Sequence, residues 1–226
     1  MSLTTYIIYI AILMIVPLLA QGKVKSTYRK HSKIGNSSMM TGAQVARKIL
    51  DDNGLYDVGI EEVRGTLSDH YDPRKKVVRL SSDNYHGHSQ AAAAIAAHEV
   101  GHAIQDAESY AFLRFRHALV PVASFGDRMS FIFILAGIFL DAMNLVLVGI
   151  IFMAFAVLFQ LVTLPVEFDA SNRAMGQLVS SGIIRNNEER STKKVLNAAA
   201  LTYVAAAVVA VAELLRFVLI FLSNDD

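Results

Sequence analysis

Residues 145–165 read LVLVGIIFMAFAVLFQLVTLP, and Val166-Glu167-Phe168-Asp169 follow directly. The run carries no charged side chain. At about 1.5 Å per helical residue it is long enough to cross the ~30 Å hydrocarbon layer of a bilayer. It reads as a membrane span.

Outward from this segment the pattern recurs. Residues 118–140 form a second apolar stretch with Asp127 and Arg128 inside it, and Asp141 to Asn144 supply the tight turn of a transmembrane hairpin over 118–165. Leu3 to Ala20 is another run of spanning length. No Lys or Arg precedes it, as a cleaved signal peptide requires, so residues 1–22 read as a retained anchor. Val195 to Leu222 makes the fourth span, in a C-terminal segment 195–226 that closes with the short tail Ser223-Asn224-Asp225-Asp226.

Composition agrees. Apolar residues make up 54% of the 226 and charged ones 18%, against about 25% charged in soluble domains. Residues 21–117 hold 25 of the 41 charges, whereas residues 129–165 hold only Asp141. A simple soluble globule is excluded. The net charge of +1 also excludes a nucleic-acid partner recruited by overall charge. With no cysteine, neither a disulfide nor a thiolate metal site is possible, so any metal must be held by histidine and carboxylate.

The basic residues assign the sides. Lys23, Lys25, Arg29, Lys30 and Lys33 follow the first span, and cytoplasmic flanks are the ones enriched in Lys and Arg. Four crossings from an outside N-terminus put residues 21–117 and 166–194 on the cytoplasmic side, with both termini outside. Those two segments hold 19 of the 21 Lys and Arg; the other two, Arg128 and Arg216, lie within spans.

Residues 23–117 read as a small cytoplasmic lobe. Thr41 caps a helix to about Asp52, with Gly54 as its stop. Val58 to Leu67 and Lys76 to Leu80 read as strands, and Ser68 to Pro73 between them as turn chemistry. Ser89 caps a long helix whose first turns, Ala91 through Ala97, are almost all alanine. The expected fold is an α-helical integral membrane protein with about four transmembrane helices and a small α+β lobe.

The sharpest chemical feature is His98-Glu99-Val100-Gly101-His102 on the alanine-rich helix. Histidines at i and i+4 project from one helical face about 6 Å apart, which suits two ligands of one zinc ion. Glu99 lies beside that face, where it can take a proton from metal-polarised water and return it to a leaving amine. A chance match in a chain of this length is expected on the order of one percent of the time. The bland alternative is a buried helix that happens to carry two histidines.

Catalytic zinc needs a third protein ligand. Asp106 continues the face but lies about 12 Å along a straight helix from His98. Gln105 and Glu108 stand where the metzincin extension needs Gly and His. His86 and His88 precede the helix and sit about 15 Å or more from His98. Glu167 is the remaining candidate, brought to the same side by the topology. Ala170, Ser171 and Ala174 would let its helix approach the smooth Ala91–Ala97 face. A carboxylate at a membrane edge can also be plain interface polarity.

Five stretches carry a resemblance: Thr41-Gly42-Ala43, Asp69-His70-Tyr71-Asp72-Pro73-Arg74-Lys75-Lys76, residues 96–105 around HEVGH, residues 161–168 ending Pro165-Val166-Glu167-Phe168, and residues 196–206. Together they make the chain closely resemble the YugP-like bacterial family of neutral zinc metallopeptidases over nearly its whole length. That family is similar in outline to the HtpX and CAAX-prenyl membrane proteases, which pair HExxH with a glutamate on a later helix. The resemblance implies a zincin-like lobe, one Zn2+ per chain held by His98, His102 and Glu167, and Glu99 as catalytic base. The HtpX pattern places Asp four residues after the ligand Glu, where this chain has Ser171, so Asp169 is the candidate for orienting the site instead.

Weaker signals remain. His70 and Tyr71 could stabilise an oxyanion or simply form a hairpin turn, and Tyr203 reads as an interface anchor. Asp127-Arg128 and Glu213-Arg216 read as pairs holding the second and fourth spans together, with a water-filled cavity as the alternative. The expected activity is a membrane-embedded zinc metalloendopeptidase of the bacterial cytoplasmic membrane, acting on a peptide or membrane-protein substrate. Its alternative is a catalytically silent, zinc-stabilised scaffold.

Overall fold

The computed structural model describes residues 2–223; Asn224, Asp225 and Asp226 of the expected tail lie outside the described residues. The elements run α1 (Leu3–His31), α2 (Gly42–Asp52), β1 (Gly59–Val63), β2 (His70–Asp72), β3 (Val77–Ser81), α3 (Ser82–Tyr85), α4 (Gln90–Ala107), α5 (Ala111–Phe139), α6 (Met143–Ser180) and α7 (Asn186–Ser223). Among the described residues, four helices are long and apolar enough to cross a membrane: Thr4–His31, Ala111–Phe139, Met143–Ser180 and Asn186–Ser223. That is the expected number.

These helices overrun the apolar segments that announce them. α6 does not stop at Pro165 but carries it inside and continues to Ser180. Proline removes one backbone hydrogen bond, a loss that long apolar helices tolerate when neighbouring groups compensate. α5 likewise runs unbroken from Ala111 through Pro121, so residues 118–128 belong to the same helix as the second span.

The chain divides into two compact units. One takes the described residues up to Leu18, Ala111–Pro165 and those from Tyr203 on. Within it α5 and α6 form a tight hairpin. A Cβ on Gly149 would lie 2.9 Å from the Ile134 backbone nitrogen, the kind of approach that small residues permit between apolar helices. Phe152 stacks on Phe133 with centroids 5.7 Å apart and meets Phe125 edge-on at 5.8 Å. Arg216 does not pair between the second and fourth spans. It binds Glu213 three residues back on α7 at 2.6 Å, with its guanidinium 5.8 Å and 6.0 Å from the Tyr9 and Tyr6 rings of α1. A pair at i and i+3 shares one helical face, so it closes without help from another helix.

The other unit takes Leu19–Tyr110 and Val166–Thr202. Its three-stranded sheet has the order β1-β3-β2, with β1 parallel and β2 antiparallel to the central strand. Thr41 accepts from Gln44 N while the Gln44 side chain accepts from Thr41 N, a full capping box, and Gly54 follows the helix with φ +71°. Ser89 caps α4 by accepting from Ala92 N. Residues 70–72 are strand rather than turn. The turn lies one step later, where Asp72 Oδ1 accepts from Arg74 N and Lys75 N.

The core of this unit explains the alanines. Val45, Ala46, Ile49 and Leu50 of α2 are fully buried, in one cluster with Val78 and Leu80 of β3 and with Ala93, Ala94, Ala96, Ala97 and Val100 of α4. Ala174 and Leu178 of α6 and Val195 and Leu196 of α7 belong to the same cluster. Methyl side chains let α4 sit between the sheet, α2 and α6 without the volume that larger residues would demand.

Candidate metal centre

The five residues of HEVGH lie inside α4, whose buried face is set by the alanine run before it. One helical turn separates the two histidines, and their rings meet edge-on with centroids 4.8 Å apart. Glu167 enters from α6. Its Oε2 lies 3.3 Å from His98 Nε2 and 3.6 Å from His102 Nε2. One ligand atom from each of the three residues falls within 4.8 Å of the others, the one such cluster among the described residues. Ligands about 2.0–2.1 Å from a tetrahedral zinc are separated by about 3.3 Å, close to both histidine–glutamate distances. Two imidazole nitrogens and one carboxylate, with a fourth position left for water, form a donor set of the catalytic type. The residues fit the ion.

Gly101 makes the approach possible. A Cβ there would lie 2.6 Å from the Ala170 carbonyl oxygen and 3.2 Å from its Cα, so α4 and α6 meet backbone to backbone beside the cluster. Ala170 and Ala174 are fully buried along the same contact.

Both histidines have a partner on the nitrogen that faces away from Glu167. Ser171 Oγ lies 3.2 Å from His98 Nδ1, and Gln105 Oε1 lies 3.0 Å from His102 Nδ1. Burial works against a charged His102, but the adjacent carboxylates of Glu167 and Glu99 outweigh it and raise its pKa. Glu99 is buried. That burial raises its pKa above the usual carboxylate value; His98 and His102 pull it down, and Asp69 and Glu167 add to the rise.

The other sequence candidates lie outside the cluster. Asp106 accepts from the Tyr71 hydroxyl at 3.1 Å, which ties the edge strand β2 to α4. Burial, then the Asp106 charge, raises the Tyr71 pKa. His70 is exposed and bonds the Ser68 carbonyl, and His86 meets Glu62 at the surface. Asp169 does join the site, but through Gln105 rather than a histidine. Arg173 binds Asp169 and Glu108, at 2.6 Å each. In the sequence Gln105 stands out only as the residue at the position where the metzincin extension needs glycine. Its place three residues after His102 was the available signal.

A His-x-x-x-His pair, a glutamate from a later helix and four helices of spanning length together define a candidate membrane metallopeptidase. Comparison with known proteins agrees. Residues 6–222 match the family described as "Putative neutral zinc metallopeptidase", and the chain belongs to that family. It is 57% identical over 207 residues to "Putative membrane protease YugP" of Bacillus subtilis (strain 168), covering 92% of each chain. No solved structure matches it.

Proposed function

We propose that this protein is a membrane-embedded zinc metalloendopeptidase in which His98, His102 and Glu167 hold one Zn2+ and Glu99 is the general base. The observation that carries this reading is the convergence of those three donor atoms beside a buried glutamate. Bound zinc supplies a Lewis acid that polarises a peptide carbonyl and lowers the pKa of water to about 7. Glu99 accepts the proton of the attacking water, and its burial makes it a better proton holder than an exposed carboxylate. It then returns that proton to the leaving amine. HExxH on one helix and the glutamate on a later one make the lobe zincin-like, of the gluzincin kind.

The site works on the cytoplasmic face of a bacterial membrane, with both termini outside; the distribution of Lys and Arg supports this orientation. Glu167 follows the uncharged run 145–165 by two residues on one helix. A site so placed suits peptide or membrane-protein substrates close to the bilayer, and no nucleic acid. The test is cleavage of an unfolded reporter protein by the purified chain in detergent with zinc, beside Glu99→Gln. Fragments from the parent alone support the reading. Equal cleavage by both removes Glu99 as base, and zinc binding without cleavage of any membrane-protein panel leaves the silent scaffold.

A further inference from the structure

Gln105 is fully buried, and its amide meets three polar groups. Its Nε2 donates to the Val166 carbonyl oxygen and to Asp169 Oδ2, at 2.8 Å each. Its Oε1 faces His102 Nδ1 at 3.0 Å. The Val166 carbonyl can only accept, and Asp169 Oδ2 also accepts from Arg173 Nε at 2.6 Å. Turning the amide over would set Oε1 against two acceptors, so its orientation is fixed by its surroundings. With Oε1 towards the imidazole, His102 Nδ1 must carry the proton. The neutral ring then keeps its lone pair on Nε2, the atom 3.6 Å from Glu167 Oε2.

His98 is held differently. Its Nδ1 meets the Ser171 hydroxyl at 3.2 Å, a group that donates or accepts and therefore specifies neither tautomer. The His102 arrangement is also anchored further out. Arg173 bridges Asp169 to Glu108, the C-cap residue of α4, at 2.6 Å. A chain of contacts Glu108–Arg173–Asp169–Gln105–His102 thus runs between α4 and α6.

We infer that Gln105 is a positioning residue that locks His102 in its Nδ1–H tautomer and so presents Nε2 ready for a metal shared with His98 and Glu167. The inference rests on the metal-site reading above. Groups that orient a ligand histidine in this way typically change metal affinity about 10- to 100-fold when removed.

Two substitutions separate positioning from packing. Gln105→Leu removes the acceptor while keeping an apolar body in the buried space. Gln105→Glu keeps an oxygen for the Nδ1 proton but loses the amide donors and sets a second carboxyl beside Asp169. Zinc affinity of the purified full chain in detergent, read by competition with a chromophoric chelator, is compared with the melting temperature of the metal-free protein. Gln105→Leu is expected to weaken zinc about 10- to 100-fold. Gln105→Glu is expected to stay within a few-fold of the parent while melting below Gln105→Leu. Ser171→Ala is expected to change zinc affinity only a few-fold. If zinc affinity instead follows melting temperature, with the leucine variant tighter than the glutamate one, Gln105 only packs and the inference is overturned. Equal affinities in the parent and both Gln105 variants overturn it too. A parent that binds no zinc removes the metal-site reading itself, and this inference with it.

Discussion

A Cβ placed on Gly101 would lie 2.6 Å from the carbonyl oxygen of Ala170, so the helix with both histidines and the helix with Glu167 touch through their backbones. Neither side of that contact is a flexible side chain that could move aside. Gly101→Ala therefore has to separate the helices. Overpacking costs about 1–3 kcal/mol, offset by about 1 kcal/mol of helix propensity gained over glycine. The expected result is a lower melting temperature and a zinc affinity reduced at least about 10-fold, as a site loosened around its ligands should show. Calorimetry with and without zinc checks both. An unchanged affinity would mean that the helix spacing does not set the ligand geometry.

Removing the third ligand should uncouple zinc from stability. A metal that binds only the folded state adds about 2.7 kcal/mol when its free concentration is 100 times the dissociation constant. The parent's melting temperature should rise with zinc and fall on chelation. Glu167→Ala keeps His98 and His102 but loses the carboxylate 3.3 Å and 3.6 Å from them, and its melting temperature should barely respond. A full zinc response in Glu167→Ala would assign the third ligand elsewhere.

Most of this arrangement is legible in the sequence because it rests on local rules. The spacing of His98 and His102, the caps at Thr41 and Ser89 and the four apolar runs follow from helix geometry and bilayer thickness. What escapes is non-local. Nothing in the local sequence shows that Ala170 lies against Gly101 or that Gln105 reaches the Val166 carbonyl and Asp169 of α6. Pro165 reads as an end, yet α6 continues through it and carries Glu167 into the cluster. The strand at residues 70–72 was hidden under turn-forming residues because pairing with β3 and the Tyr71–Asp106 bond outweigh local preference.

Glu99, the proposed base, should leave a mark on stability because it is buried. Burial raises the Glu99 pKa in the folded protein above its ordinary value of 4.5. The folded state then holds a proton that the unfolded state releases. The stability associated with protonated Glu99 is fully present below about pH 4.5 and is lost as pH rises through the folded value. Glu99→Gln never ionises. The metal-free variant should match the parent in acid and melt progressively higher than it as pH rises to neutrality. Thermal melts of both proteins with chelator across that range provide the check. A constant difference would show that Glu99 titrates as it does in the unfolded chain.

The absence of cysteine allows the orientation to be tested with single introduced thiols. Asn144, at the start of α6, and Asn187, at the start of α7, are both exposed. In the proposed orientation Asn144 lies outside and Asn187 in the cytoplasm, because the segment 166–194 carries Arg173, Arg185, Arg190, Lys193 and Lys194 and basic residues favour the inner face. A membrane-impermeant maleimide should label Asn144→Cys in intact spheroplasts and Asn187→Cys only after permeabilisation. The reverse pattern would put His98, His102 and Glu167 on the outer face, where the substrates would be extracytoplasmic chains.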